Sequence, residues 1–167
     1  LSLRARGAKE PPLPELPPAV KAEANKHLLE VLDILQKGRF EFAFRTAKEV
    51  VAYLKVCSEL AADKAAWEAG KWKPDLDDEI LQKILPRLHG SRARVGNLIG
   101  ALVSYFADAN KANALAFFPT DGQEEATKTL TDAVTLKPDV AAFPRCFKKV
   151  QTMARVLMEE QFVSFIC

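Results

Sequence analysis

Apolar side chains recur at every third or fourth position along most of the chain, the spacing that places them on one face of an α-helix. The first run occupies residues 20–35 and is closed by Gly38. The second occupies residues 44–61 and ends before Gly70. Each run is several helical turns long and contains no proline, so both predict long amphipathic helices.

A third helix is predicted to follow a loop. The loop is the sequence KWKP at 71–74, with Asp75 as the N-cap and the acidic residues 77–79 in the first turn, where the helix dipole favours negative charge. Apolar residues recur through residues 80–88, and Pro86 is expected to kink or end this helix.

Gly90 and Ser91 interrupt the pattern, and Ser91 is a candidate N-cap for the helix that follows. The later pattern is less even. In order, it predicts a helix over 95–106, an irregular stretch over 109–123, a weaker helix over 123–136, a strong helix over 145–161 and a short extended tail.

Strand signals are nearly absent, so the predicted fold class is all-α, a compact bundle of five or six helices. Residues 1–18 are rich in proline and predict an extended lead-in, because proline cannot donate to a helix or sheet. Residues 19–167 are expected to form a single helical domain, with an extension from about residue 107.

Composition and charge narrow the class of protein. Of 167 residues, 49% are apolar and 28% charged, and the net charge of +2 is too small to indicate nucleic-acid binding by itself. No apolar run approaches the ~18–20 residues of a membrane span. Cys57, Cys146 and Cys167 are far apart in sequence, which predicts reduced thiols and a cytoplasmic protein. Because residue 1 is leucine, we expect a piece of a longer protein.

We recognise no complete active site in the sequence. The G-x-x-x-x-G-K-[ST] phosphate loop is missing. Neither His27 nor His89 has a cysteine or histidine at ligand spacing, so no metal site is predicted. We interpret the acidic run at 77–79 as helix-start charge. The small residues Gly96 and Gly100 indicate one close helix crossing.

What the chain offers instead is two groups of arginine at the ends of predicted helices. Arginine binds phosphate oxygens through a rigid planar fork, so such side chains can reach a nucleotide held by another domain. The alternative for the second group is a solvated surface. The first group is Arg39 and Arg45, and the second is Arg87, Arg92 and Arg94, accompanied by Lys83 and His89.

Three segments resemble parts of McrB-type AAA+ proteins, in the same order and with similar spacing. EFAFRTAKEVVAYL resembles the segment that follows their ATPase core, and DDEILQKILPRLHGSRARV, the most specific of the three, resembles a segment further on. FPRCFKKVQTMARVLMEEQFVSFI is similar to their closing segment, although Cys146 stands where we expect serine. The resemblance covers about residues 38–106 and 143–166.

The resemblance implies an AAA+ lid-like region, in which helices close over a nucleotide bound by an α/β core. Such a lid often contributes a "sensor 2" arginine from the start of a helix, and Arg45 occupies the matching position. Arg87, Arg92 and Arg94 are candidates for phosphate or subunit-interface contacts.

The partners implied by the resemblance are the AAA+ core of the same parent chain, the neighbouring subunits of a ring and a nuclease subunit. The implied cofactor is ATP or GTP with magnesium, bound by the parent protein and not by this chain alone. Because the core is missing from this sequence, we do not expect this chain to hydrolyse nucleotide by itself.

Two other functions stay open. A stand-alone helical interaction module without nucleotide chemistry would take a partner segment in an apolar groove. A nucleic-acid binder would use the basic residues within 83–94 and would show a steep salt dependence. The small net charge ranks this last hypothesis third.

Overall fold

The computed structural model describes residues 15–40, 44–118 and 126–166. Two short strands, β1 (His89–Ser91) and β2 (Phe162–Ser164), pair antiparallel with Gly90 opposite Val163. The helices are α1 (Pro18–Lys37), α2 (Phe44–Leu60), α3 (Lys64–Ala66), α4 (Trp72–Lys83), α5 (Arg92–Asp108), α6 (Lys111–Leu115), α7 (Ala126–Thr135) and α8 (Pro144–Glu160).

The prediction of a compact all-α bundle is confirmed, with the small sheet as an addition. Its long helices are α1, α2, α4, α5, α7 and α8, and α4 ends before Pro86, as expected. Most of the proline-rich lead-in, Cys167 and the first residues of the helix predicted at 123–136 lie outside the described residues.

Helix α5 is the centre of the bundle. Every residue from 98 to 107 is buried, so α5 has no solvent-facing side over this length, and it packs against α1, α6, α7 and α8. A helix that is apolar all round belongs in a core. The predicted close crossing occurs at Gly100, where a Cβ would lie 2.5 Å from Thr129 Cγ2 of α7.

The predicted loop at KWKP is helical instead. A π-helical turn, Trp67–Lys71, leads directly into α4, and the chain kinks at Gly70, whose φ of 151° is open to glycine. Pro74 lies in the first turn of α4, where a backbone N–H group would have no partner within the helix, so proline is tolerated there. The buried Trp72 packs this turn against the core.

The acidic residues that follow do not begin a helix, because α4 starts at Trp72. Asp75 is therefore not an N-cap. Its Oδ2 accepts a hydrogen bond of 2.7 Å from Trp67 Nε1. The interpretation of residues 77–79 as helix-start charge was also wrong, since they lie in the middle of α4.

Asp77 caps a different helix. It is 1% exposed, and its carboxylate accepts hydrogen bonds from the backbone N–H groups of Arg145 at 2.8 Å and Cys146 at 3.0 Å. The Cys146 thiol donates to the Asp77 carbonyl oxygen at 3.2 Å. The first N–H groups of a helix have no partner within it, so α4 supplies the cap that α8 lacks in its own sequence.

Arg92 holds the other end of α8. Its Nε donates to the Leu157 carbonyl oxygen at 2.8 Å, and a second guanidinium nitrogen donates to that of Met158. The Arg92 backbone N–H donates to the Gln161 carbonyl oxygen at 2.9 Å. A cation matches the negative end of the helix dipole, so α8 is held by an acid at one end and a base at the other.

A buried polar chain joins α1 to α5. The Tyr105 hydroxyl donates to Glu30 Oε2 at 2.8 Å, so its oxygen accepts from His27 Nδ1, 2.9 Å away, and the imidazole hydrogen lies on Nδ1. His27 is 8% exposed and packs edge-on against Phe143. Burial lowers the pKa of His27 below its usual 6.5, although Glu30 and Glu23 act in the opposite direction.

Replacing Asp77 with alanine is expected to lower the free energy of unfolding by about 1–3 kcal/mol, because two N–H groups of α8 lose their acceptor. Urea denaturation measures this change. Asp78→Asn is the matched control, since the neighbouring Asp78 forms a surface ion pair with Arg145 and should matter much less. Equal losses in the two variants would contradict the capping role.

The stability of the fold should also depend on pH through His27. Below about pH 6.5, His27 takes up a proton in the unfolded chain more readily than in the folded protein, where its pKa is lower. The contribution of His27 to the free energy of unfolding is therefore fully present above about pH 6.5 and decreases as the pH falls below this value. Urea denaturation at pH 7.5 and 5.5 should show this fall in the wild type and a smaller one in His27→Gln. The same slope in both proteins would exclude His27 as its source.

Candidate functional site

Arg45, the candidate for nucleotide sensing, lies in the first turn of α2 with its side chain 87% exposed. Its Nε donates to Glu49 Oε1 at 3.0 Å, one turn further along the helix. A surface pair at this spacing contributes only about 0.3–0.5 kcal/mol, so an anion of higher charge can displace Glu49. The guanidinium is therefore accessible to a group outside the chain.

The fold separates the second arginine group. Arg92 is half-buried and donates to α8, so its hydrogen bonds serve the fold. Arg87 is exposed in the 3-10 turn after α4, and among the described residues no carboxylate pairs with it. Arg94 lies in the first turn of α5, on the wall of a cleft.

This cleft lies between the end of α1 and the start of α5 and has a volume of about 550 Å³. It brings together Arg39 from the first arginine group and Arg94 from the second. Within the described parts of the chain, three of its lining side chains are cationic and none is acidic. The residues that line this cationic cleft are Lys37, Gly38, Arg39, Ala93, Arg94, Asn97, Leu98 and Phe118.

The floor of the cationic cleft depends on Gly38. Gly38 ends α1 as predicted, but with an ordinary φ of −78°, so the requirement is one of space. A Cβ at Gly38 would lie 2.8 Å from both Cδ atoms of Leu98, which is only 1% exposed. The absence of a side chain lets the end of α1 approach α5.

Arg39 adopts a left-handed backbone conformation, with φ of 59°. This region costs a non-glycine residue about 1–2 kcal/mol, and helix ends usually place glycine there. The Arg39 N–H donates to the Gln36 carbonyl oxygen at 2.9 Å, which closes the turn. The sequence therefore keeps an arginine at a position where glycine is easier to accommodate.

Arg94 lies over the ring of Phe40, with its guanidinium carbon 5.5 Å from the ring centre. This cation–π contact orients the side chain without neutralising it. Among the described residues, no carboxylate pairs with Lys37, Arg39 or Arg94. Together with the positive end of α5, these cations form an arrangement suited to an anion.

The described part of the chain contains little other reactive chemistry. No group of three or more histidine, cysteine or acidic residues within it is placed to hold a metal ion. Burial raises the pKa of the Cys146 and Cys57 thiols, which disfavours the thiolate form. None of the described helices has the length and apolar character needed to span a bilayer.

Comparison with known proteins adds one finding. A family model described as "Domain of unknown function (DUF8727)" matches residues 8–162. The chain belongs to this family. No curated protein and no solved structure matched it in the same comparison. The matched region of the DUF8727 chain includes the cationic cleft, Arg45 and the whole of α8 with both of its caps.

Sequence reasoning identified Arg39 and Arg94 but did not place them in one site, and it did not single out Lys37. The signal that joins them is the approach of Gly38 to Leu98, which links positions far apart in the DUF8727 chain. A glycine at a helix end is usually explained by local backbone geometry. For this reason the contact was not evident from the local sequence.

Gly38→Ala should lower the free energy of unfolding by about 1–3 kcal/mol, because the added methyl group overlaps buried Leu98. Urea denaturation of Gly38→Ala, Leu98→Ala and the double variant measures the coupling. The cost of Gly38→Ala should shrink in the Leu98→Ala background. An unchanged cost in that background would show that the two residues are not in contact.

Proposed function

We propose that this DUF8727 chain is the C-terminal helical lid of a McrB-like AAA+ NTPase and contributes nucleotide sensing and ring assembly in a restriction or defence system. It acts in the cytoplasm with the AAA+ core of its parent chain, neighbouring ring subunits and a nuclease subunit. ATP or GTP with magnesium is bound by that core. The lid itself performs no hydrolysis.

The observation that carries this proposal is the exposed guanidinium of Arg45 at the start of α2. A sensor arginine must reach across to a nucleotide held elsewhere, so it has to be charged, accessible and anchored on a rigid helix. Arg45 meets these conditions, since its pairing with Glu49 is a surface ion pair. In the closed state, Arg45 would exchange Glu49 for phosphate oxygens.

The contacts that join two of the segments resembling McrB-type proteins also support the proposal. The second and third segments that resemble McrB-type proteins form one unit, because Asp77 and Arg92 hold the two ends of α8 and β1 pairs with β2. A lid that transmits closure has to move as one body. These contacts give α4, α5 and α8 the rigidity that such a motion requires.

In the longer protein, Arg45→Ala is expected to slow nucleotide hydrolysis about tenfold or more, because a positive charge that stabilises the developing phosphate charge is lost. Steady-state phosphate release measures the rate. Lys48→Ala is the matched control, because Lys48 is exposed on the same helix and has no proposed contact with nucleotide. An unchanged turnover rate in Arg45→Ala would show that Arg45 is not the nucleotide-sensing residue.

The proposal as a whole is tested by the gene. Reading the coding sequence upstream of Leu1 should reveal an α/β domain with a G-x-x-x-x-G-K-[ST] loop. A reading frame that starts immediately before Leu1 contradicts the lid function, whatever the outcome for Arg45.

A second candidate function, the stand-alone interaction module, is favoured by one surface. On α2 the apolar residues Tyr53, Val56 and Leu60 are 38%, 38% and 79% exposed and share one helix face. Such a module would capture its partner equally well with and without nucleotide. A lid would do so only as part of its ring.

A further inference from the structure

We propose that the cationic cleft is a second anion site, distinct from Arg45, and that it binds the polyphosphate group of a small molecule. This inference goes beyond the proposed function, because it uses neither Arg45 nor an NTPase core. Three features of the cleft between α1 and α5 support it, namely its charge, its backbone geometry and its size.

The charge of the cleft is unbalanced. Lys37, Arg39 and Arg94 contribute three cations to its walls, and no acidic residue lines it among those that the structure describes. Cations that only solvate a surface are usually dispersed or interspersed with acids. Here they converge from two helices on one concave space beside the positive end of α5, so several phosphate oxygens can be bound at once.

The conformation of Arg39 supports a binding role. A left-handed backbone at a non-glycine residue is unfavourable, and such strain persists where the surrounding structure imposes it, often at ligand-binding positions. The preceding Gly38 is tied to Leu98 by close contact, so the turn is fixed by packing. Arg39 is thereby held on the cleft wall by the packing of the residue before it.

The size and the remaining walls of the cleft favour a small ligand. A volume of about 550 Å³ is within the range of small-molecule sites. Leu98 and Phe118 provide an apolar wall, and Asn97 contributes its side chain to the lining. Two sources of the same chemistry fit, a nucleoside triphosphate or a free polyphosphate.

A nucleic-acid strand fits less well. A strand-binding surface needs a continuous row of cations. Arg92 is the arginine between Arg87 and Arg94 in sequence, but it donates to a carbonyl oxygen of α8 and therefore does not continue such a row. The net charge of +2 does not favour a polyanion either. The cationic cleft is a local feature on a nearly neutral molecule.

The test is isothermal titration of the full chain at low salt with inorganic tripolyphosphate, ATP and GTP. Arg39→Asn and Arg94→Gln should each weaken tripolyphosphate binding about tenfold or more, since each removes charge-assisted hydrogen bonds. Asparagine tolerates the left-handed conformation, so Arg39→Asn should keep its fold, which urea denaturation checks. Lys71→Gln, at an exposed lysine outside the cleft, is the charge-matched control and should bind normally.

Phe118→Ala distinguishes the two sources. If this substitution weakens the binding of ATP or GTP but leaves the binding of tripolyphosphate unchanged, the ligand is a nucleotide. If it leaves all three unchanged, the ligand is a free polyphosphate. Either result supports the site.

The proposal is overturned if no probe binds at millimolar concentration, or if Arg39→Asn and Arg94→Gln bind as the wild type does. It is also overturned if a single-stranded oligonucleotide displaces tripolyphosphate at lower concentration than ATP does. Arg45→Ala should bind normally in the same titration. A negative result for the cleft would therefore not bear on the proposed function, which the hydrolysis rate of Arg45→Ala tests separately.

Discussion

The arrangement of this bundle depends on the way α8 is held at both of its ends by charges from other helices. Asp77 of α4 accepts the free N–H groups at its positive end, and Arg92 of α5 donates to the free carbonyls at its negative end. Helix ends are the weakest points of helical backbone pairing, so these contacts remove unpaired groups and fix position together.

The two caps also define the connection between α4 and α5. Because Asp77 and Arg92 both bind α8, the intervening turn cannot move independently, and β1 within it pairs with β2 just after α8. The start of α5 is thereby fixed in space. Arg94 lies in this first turn, so a contact that stabilises the fold also positions one wall of the cationic cleft.

Local signals predicted the long helices well, because each amphipathic helix carries its own periodicity and Pro86 ends α4 for a local steric reason. The same signals failed at KWKP, where Pro74 suggested a loop. Proline is tolerated in a first helical turn, and burial of Trp72 decided the outcome. The acids at 77–79 resembled a helix start, but Asp77 acts on a helix far along the chain.

By itself, then, the sequence determined the fold class, most helix positions and which arginines were available. Periodicity, proline and charge act over a few residues and are legible locally. Only the tertiary structure decided what each arginine does: Arg92 binds carbonyls of α8, Arg45 stays exposed, and Arg39 joins Arg94 across a cleft. These roles depend on which helix ends meet, and that is set by packing, such as Gly38 against Leu98, between residues distant in sequence.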